Sequence, residues 1–277
     1  MKINLNWQQI VLSAGGFLIG VVSNVFANYI SGIDGLGLSI GLAILALSVL
    51  VVAVVGALKP KFTRIRYFKQ LTLRTPHERK TAARKGLIVV VPWYNGKIEP
   101  PNTIEMLRKE TQLGNYSEMD FEGTNFAHVV EAIVSHATRL EHCWLISTTN
   151  TDPKDPCSKD FVPALIRFLQ EKRDIKCKFH WEEHTILLDD DAQVTDRTLN
   201  QVRSIYQQAQ NLGLVDKDIL ADFTGGLRSI ALGIFLSSLD GNRDIQFIGT
   251  HYDEKGRPTG DRYPMISQFE LQTTDSP

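Results

Sequence analysis

The first 58 residues form the most apolar part of the chain. No Asp, Glu, Lys or Arg occurs from Ile3 to Ile33, and none occurs from Gly35 to Leu58. The runs Ile10 to Ile30 and Leu36 to Leu58 each reach the roughly 20 residues that a helix needs to cross a bilayer. We therefore predict that residues 1–58 are a hairpin of two transmembrane helices. The alternatives are a cleaved signal peptide at the first run, or two buried helices of a water-soluble core.

Beyond residue 85 the pattern changes to short apolar runs that alternate with segments of helical periodicity. The strand candidates are Gly86 to Trp93, Cys143 to Thr148, a segment within Lys176 to Leu188, Ile219 to Phe223 and Ile245 to Gly249. The helix candidates are Thr124–Leu140, Lys159–Lys172, Thr195–Asn211 and Gly225–Leu239. This alternation predicts an α/β domain over residues 86–277, with a mainly parallel sheet covered on both faces. Turn signals before Met265 to Leu271 predict a C-terminal β-hairpin.

Charge is distributed unevenly along this chain of 277 residues, whose formal net charge is -1. A dense run of Lys and Arg fills residues 59–85, whereas the turn between the two predicted spans carries only Asp34. By the positive-inside rule, both termini and the α/β domain are expected in the cytoplasm, with 59–85 as a juxtamembrane connector. Binding of nucleic acid or anionic lipid is the alternative explanation of the basic run.

The segment Asp222-Phe-Thr-Gly-Gly-Leu-Arg-Ser carries the clearest chemistry, because it follows a predicted strand and opens a predicted helix. Its two glycines allow the backbone to approach a ligand, and the helix N-terminus presents free N–H groups to an anion. Arg228 adds a forked cation that suits phosphate. The motif lacks the GxGxxG of dinucleotide folds and the GK[ST] of a P-loop. A plain tight turn with a helix cap is the alternative.

Two other predicted strands end in polar or aromatic residues. Trp93, Tyr94 and Asn95 lie at the end of the first strand, and Thr148, Thr149 and Asn150 lie at the end of the second. In a parallel sheet the carboxyl ends of the strands meet at one edge, where ligands bind. Aromatic rings stack on bases, and hydroxyl and amide groups bind base edges and phosphates, so the edge predicts a pocket for an oligonucleotide-like ligand.

This pattern resembles the CARF domains, the CRISPR-associated Rossmann folds that bind cyclic oligoadenylates. The resemblance covers residues 86–273 and rests mainly on Asp222, Thr224, Gly225 and Gly226. Arg228 stands where the family usually has Lys, which preserves the charge but changes the hydrogen-bond geometry. The resemblance implies a Rossmann-like fold and a cyclic oligoadenylate ligand, expected to be cyclic tetra-adenylate.

The resemblance also implies a homo-oligomer, a dimer or tetramer, in which one ring lies across a two-fold axis. It further implies that an attached module is the effector, and no R-x-x-x-x-H motif of HEPN nucleases occurs in this sequence. The hairpin is then the output module of a type III CRISPR membrane effector at the inner membrane of a prokaryote, acting as a pore or by depolarisation. Partners are thus expected to be a cyclic oligonucleotide, the lipid bilayer and further copies of the chain, without direct DNA or long-RNA binding.

Two other functions stay open at this point. A metal-independent ring nuclease could cleave the cyclic ligand in the same pocket, and an unrelated membrane-tethered nucleotide sensor would share the same layout. Neither a catalytic residue nor a metal or cofactor is predicted. Asp222 is expected to orient its turn rather than to touch ligand. The expected ligand-binding residues are Trp93, Tyr94, Asn95, Thr148, Thr149, Asn150, Asp222, Thr224, Gly225, Gly226, Arg228 and Ser229.

Three further patterns are set aside. His180-Trp-Glu-Glu-His184 matches a zinc-peptidase motif, but its flanks predict strand, where the two His side chains would lie about 13 Å apart. The acidic run 189–191 is expected to be a loop before a helix rather than a Mg²⁺ site. His128 and His136 are expected to be ordinary surface or core residues. Three scattered cysteines without CxxC spacing predict no disulfide framework and a reducing compartment.

Overall fold

The computed structural model describes residues 62–97, 103–152, 154–240 and 243–274, with side chains described between residues 70 and 268 of these ranges. Residues 65–272 form one compact unit. The second unit consists of residues 1–64 and 273–277, of which only 62–64 and 273–274 are described.

Strands and helices alternate along the described chain, as the sequence predicts for residues 86–249. The strands are β1 (Phe62–Thr72), β2 (Gly86–Val90), β3 (His142–Asn150), β4 (Lys178–His180), β5 (Thr185–Leu188), β6 (Ile219–Asp222), β7 (Ile245–Tyr252) and β8 (Pro258–Thr274). The helices are α1 (Pro76–Ala82), α2 (Ile104–Gln112), α3 (Phe126–Val134), α4 (Val162–Arg173), α5 (Asp191–Asn211) and α6 (Arg228–Ser238). Two short 3₁₀ turns, Ser158–Phe161 and Asp216–Asp218, precede α4 and β6.

The eight strands form one sheet in the order β1-β8-β7-β6-β2-β3-β4, and β5 pairs with the C-terminal residues of β3, Ser147 to Asn150. Pairs from β7 through β6, β2 and β3 to β4 are all parallel, whereas β7 and β8 form an antiparallel hairpin. The sheet is thus mainly parallel and the C-terminal hairpin is present. Counted from β2, the parallel strands follow the 3-2-1-4-5 order of Rossmann-type sheets.

Both faces of the sheet are covered, because alternate side chains of each strand enter different cores. Leu87 and Val89 of β2 pack with helices α2, α3 and α4 on one face. Ile88 and Val90 pack with α5 and α6 on the other. Strands buried on both faces explain why these segments are continuous apolar runs in the sequence.

The predicted transmembrane hairpin requires a correction of the fold class. The described residues form a mixed α/β domain with one eight-stranded sheet. Among them, no helix combines the length and the apolar character that crossing a bilayer requires. The same finding corrects the predicted localisation, a two-span protein of the inner membrane. The runs 10–30 and 36–58, on which both predictions rested, lie outside the described residues.

The basic segment 59–85, predicted as a connector, contains regular structure from residue 62 onward. It forms β1 at the edge of the sheet, beside β8, and then α1. Thr75 caps α1 by accepting a hydrogen bond from the backbone N–H of Glu78, while the Glu78 carboxylate accepts from the Thr75 N–H. This reciprocal capping box begins a helix where the apolar pattern alone gave none.

Candidate functional site

The turn after β6 and the loop after β2 flank the point where the order of the parallel strands reverses. β2 and β6 are adjacent and parallel, with Val89 opposite Asp222. The chain leaves β2 for β3 on one side, and β6 and β7 lie on the other. In open α/β sheets, this crevice outside the carboxyl ends of the strands is where ligands bind.

The two glycines of the turn are required by its close passage over the end of β2. A Cβ atom on Gly225 would lie 2.6 Å from the Val90 carbonyl oxygen. Gly226 has φ +88, and a Cβ there would lie 2.7 Å from Val90 Cγ1. Packing against β2 therefore accounts for both glycines, which brings the start of α6 to the crevice.

Asp222 holds the turn from inside. Its carboxylate is buried, and Oδ1 accepts a hydrogen bond from the Thr224 N–H at 2.9 Å. The Thr224 hydroxyl in turn accepts from the Ile248 N–H at 2.7 Å, which ties the turn to β7. Asp222 and Thr224 therefore fix the conformation of the turn.

A buried chain of hydrogen bonds fixes the other oxygen of Asp222. Because His136 Nδ1 accepts from the Arg84 N–H at 3.1 Å, the ring proton lies on Nε2 and donates to Gln246 Oε1 at 2.8 Å. The Gln246 amide then donates to Asp222 Oδ2 at 3.1 Å. Sequence analysis missed Gln246, although a polar residue inside the apolar run of β7, directly opposite Asp222, is an available signal.

Burial shifts both titratable ends of this chain toward their neutral forms. It raises the pKa of Asp222 to about 6, against the opposing effect of hydrogen bonds from Thr224 and Gln246. It lowers the pKa of His136 to about 4, so the imidazole is neutral at physiological pH. His136, expected to be an ordinary residue, is thus a fully buried support of the turn.

The N-terminus of α6 carries unsatisfied polar groups. Leu227 at the cap position provides no side-chain hydrogen bond to the first turn. The Arg228 side chain is exposed and forms no hydrogen bond or ion pair with any described residue. The Ser229 side chain is buried, at 8% exposure, and its hydroxyl has no partner among the described residues. Free N–H groups, a cation and an unpaired hydroxyl together suit a phosphate.

The residues predicted after the second strand belong to β3 itself, and their polar groups are largely occupied. Both the Thr148 N–H and the Thr148 hydroxyl donate to the Ser158 hydroxyl, at 2.7 and 3.0 Å. The Asn150 amide donates to the Pro156 carbonyl at 2.9 Å. Thr149 is half-buried and pairs with Leu187 of β5.

The loop after β2 presents one aromatic ring and buries the other. Trp93 is 42% exposed and forms a T-shaped contact with Phe161. Tyr94 lies in the core against Phe126 and Phe161, and its hydroxyl accepts from the Asp120 N–H. Asn95 is exposed. The structure therefore leaves Trp93, but not Tyr94, as a stacking surface.

The motifs set aside have structural partners. His180 lies on β4, stacks on Trp144 and shares a 3.0 Å hydrogen bond with His142, whereas His184 is bonded to Gln201 at 2.6 Å. Within the acidic run, Asp189 pairs with Arg197, and Asp190 caps α5. The described part of the chain contains no group of three His, Cys, Asp or Glu that could hold a metal.

A comparison with solved structures matches part of this chain to Can2 from Sulfobacillus thermosulfidooxidans in complex with cyclic tetra-adenylate. The two chains are 11% identical, with a TM-score of 0.33 over 65% of this chain and 36% of the Can2 chain. The match therefore spans little more than a third of Can2. No protein-family model and no curated protein matches the sequence.

Proposed function

We propose that this domain is a sensor that binds cyclic oligoadenylate at the carboxyl edge of its parallel sheet. The observation that carries the proposal is the start of α6, where an unpartnered Arg228, an unpartnered Ser229 hydroxyl and free backbone N–H groups lie together after a strand. The motif Asp222 to Arg228, which resembles that of CARF domains, gives the class of ligand.

Each group has a distinct part in binding. Arg228 and the N–H groups of the first turn of α6 hold a phosphate, to which Ser229 donates a hydrogen bond. The exposed face of Trp93 stacks on a base. Asp222 does not contact the ligand, because both of its oxygens are engaged by Thr224 and Gln246.

The partner that fits the outer face of α6 is a second copy of the chain. Leu232 and Leu236 are 49% and 36% exposed, and Leu227 is exposed one turn earlier. Leu232 and Leu236 lie four and eight residues after Arg228 and share its face of the helix. A two-fold contact along this face would bring two Arg228 sites together, matching a ligand that repeats its phosphates. Leu232→Glu is expected to convert a dimer to a monomer in sedimentation equilibrium, and a wild-type chain that is already monomeric with ring bound would exclude this partner.

The test of the function is calorimetric titration of the full chain with cyclic tetra-adenylate and cyclic hexa-adenylate. One ring per two chains is expected, and Arg228→Ala is expected to weaken binding about tenfold to a hundredfold, because a charge-assisted contact to phosphate is lost. Arg139→Ala is the matched control, since Arg139 is also exposed and unpartnered but lies in the turn entering β3, at the opposite edge of the sheet.

Two results would contradict the proposal. If the folded wild-type chain binds neither ring, the ligand class is wrong. If a ring binds but Arg228→Ala and Arg139→Ala have the same affinity as the wild type, the start of α6 is not the binding site.

A further inference from the structure

An open polar pocket lies beside the loop after β2. Its volume is about 470 Å³, within the range of about 300–1,000 Å³ typical of small-molecule sites. Asn95 and Lys97 line it on one side, and Asp120, Thr124 and Asn125 on the other. The two sides are joined, because the Asn125 N–H donates to Asn95 Oδ1 at 3.2 Å.

Two acceptor atoms of this pocket have no hydrogen-bond donor among the described residues. Asp120 Oδ1 accepts from the N–H groups of Glu122 and Gly123, at 3.1 and 2.7 Å, but Oδ2 accepts none. Asn125 donates through Nδ2 to the Trp93 carbonyl oxygen, while its own Oδ1 is buried and unpartnered. A buried acceptor without a donor is costly, which indicates that something outside the described chain satisfies it.

The chemistry of these acceptors selects the ligand group. The pocket is lined by two carboxylates, Glu118 and Asp120, and by one cation, Lys97, so its net negative charge disfavours a phosphate. An amino group on an aromatic ring has two hydrogens to donate and no formal charge. The exposed ring of Trp93, whose carbonyl holds Asn125, lies in the same loop as Asn95 and could stack on such a ring.

We infer that this pocket recognises a purine base through its exocyclic amino group, which donates to Asp120 Oδ2 and Asn125 Oδ1. The inference rests on the proposed function: the base is an adenine of the cyclic oligoadenylate whose phosphates bind at α6. The Asn95 amide nitrogen, which has no acceptor among the described residues, donates to a ring nitrogen of the same base. Asp120 is then a residue that determines base specificity.

The experiment compares two ligands and two proteins by calorimetry on the full chain. One ligand is cyclic tetra-adenylate, and the other is the same ring built from purine riboside, which lacks the 6-amino group. Asp120→Asn retains the oxygen that accepts from Glu122 and Gly123 and replaces Oδ2 by an NH₂ group, which cannot accept from the amine. Wild type is expected to bind cyclic tetra-adenylate at least tenfold more tightly than the purine riboside analogue. Asp120→Asn is expected to lose that preference while binding the analogue with the affinity of wild type.

Asp174→Asn is the matched control. It also removes one negative charge, at an exposed turn before β4, and Asn tolerates the left-handed backbone of that position. It is expected to leave both affinities unchanged. If Asp120→Asn binds the purine riboside analogue with the affinity of wild type, the loop that carries residue 120 is intact.

The outcomes separate the two proposals. Suppose that wild type binds cyclic tetra-adenylate and that Arg228→Ala weakens this binding. If Asp120→Asn then keeps the preference for cyclic tetra-adenylate, or weakens the binding of both ligands equally, the base pocket is wrong and the phosphate site is retained. If wild type binds neither ring, the proposed function fails and the inference fails with it.

Discussion

The ends of β3 and β6 lie at the same edge of the sheet, and both were predicted to bind ligand, yet they differ in the state of their polar groups. At the end of β3, the Thr148 and Asn150 side chains donate to Ser158 and to the Pro156 carbonyl. At the start of α6, after β6, the Arg228 and Ser229 side chains have no partner among the described residues. Position at the carboxyl edge therefore does not by itself make a residue available to a ligand.

Two buried serines, Ser158 and Ser229, differ in the same way in their hydrogen bonding. Ser158 is fully buried and accepts two hydrogen bonds from Thr148. Ser229 is almost as buried, but its hydroxyl is unpaired. A paired buried hydroxyl contributes to stability, whereas an unpaired one is costly unless a ligand satisfies it. The end of β3 is thus a structural support, whereas the start of α6 keeps polar groups that are available to a ligand.

The largest expected effect comes from Gly225→Ala. The new methyl group would lie 2.6 Å from the Val90 carbonyl oxygen, so the turn must move away from β2. We expect a loss of about 3 kcal/mol in the free energy of unfolding, measured by urea denaturation, and loss of ring binding. Gly213→Ala is the control, because nothing lies near the Cβ that it adds, and its cost comes only from the positive φ of Gly213, which Gly225 does not share. That variant should cost about 1 kcal/mol and retain binding; equal costs for the two variants would contradict the close approach.

The pH dependence of stability tests the buried carboxylate of the β6 turn. The folded pKa of Asp222, about 6, exceeds the value of 3.8 expected in the unfolded chain, so folding takes up a proton between pH 4 and 6. Its contribution to stability therefore falls by up to about 3 kcal/mol as pH rises through that window. The lowered pKa of His136 acts in the opposite sense over the same range and masks the effect.

Asp222→Asn removes only the falling contribution. The free energy of unfolding of this variant, compared with wild type at each pH, should worsen toward pH 4 and improve toward pH 6, with the difference changing by up to about 3 kcal/mol. Urea denaturation between pH 4 and 7 measures this difference. A constant offset between the two proteins at every pH would show that Asp222 does not titrate in this range.

Ser158→Ala is expected to lower stability without changing ligand affinity. It leaves the Thr148 N–H buried and without an acceptor, which costs about 2 kcal/mol. Thermal denaturation gives the stability change, and calorimetry on the folded variant should return the wild-type affinity. A loss of affinity with unchanged stability would mean that the end of β3 does contact ligand.

Ser229→Ala is the counterpart of Ser158→Ala and is expected to have the smallest effect on stability. Removing a hydroxyl that has no partner in the described chain should change stability by less than about 0.5 kcal/mol. Ring binding should weaken roughly tenfold, because a hydrogen bond to a phosphate is lost. If both serine variants lose stability and neither loses affinity, the contrast between the two strand ends is only structural.

The sequence predicts strands well where both faces are buried, and less well where local chemistry sets the boundary. β2 and β6 coincide with apolar runs, since parallel strands covered on both faces carry few polar residues. Helix α5 begins at Asp191, earlier than its apolar periodicity suggests, because Asp190 accepts from the N–H groups of Ala192 and Gln193. β1 went unpredicted because a strand at the edge of a sheet need not carry an apolar run.

The site shows the same division. The glycines and Asp222 could be found because a tight turn between strand and helix restricts residue type locally. Which of Trp93 and Tyr94 stays exposed depends on Phe126 and Phe161, which lie far along the chain. The partners Ser158 and Gln246 likewise come from other elements. Motif matching alone therefore identifies the turn. It does not identify the residues of other elements that bury or hydrogen-bond the side chains near the turn.

The position of β1 at the edge of the sheet determines where the chain can be truncated. β8 is 17 residues long, and β1 covers its outer edge. A fragment that begins after Thr72 would expose a row of unpaired backbone N–H and C=O groups along β8, a template for strand addition between molecules. Aggregation of such a fragment would then reflect a missing strand rather than an unstable fold, so a shortened derivative should begin at or before Phe62 and keep β1.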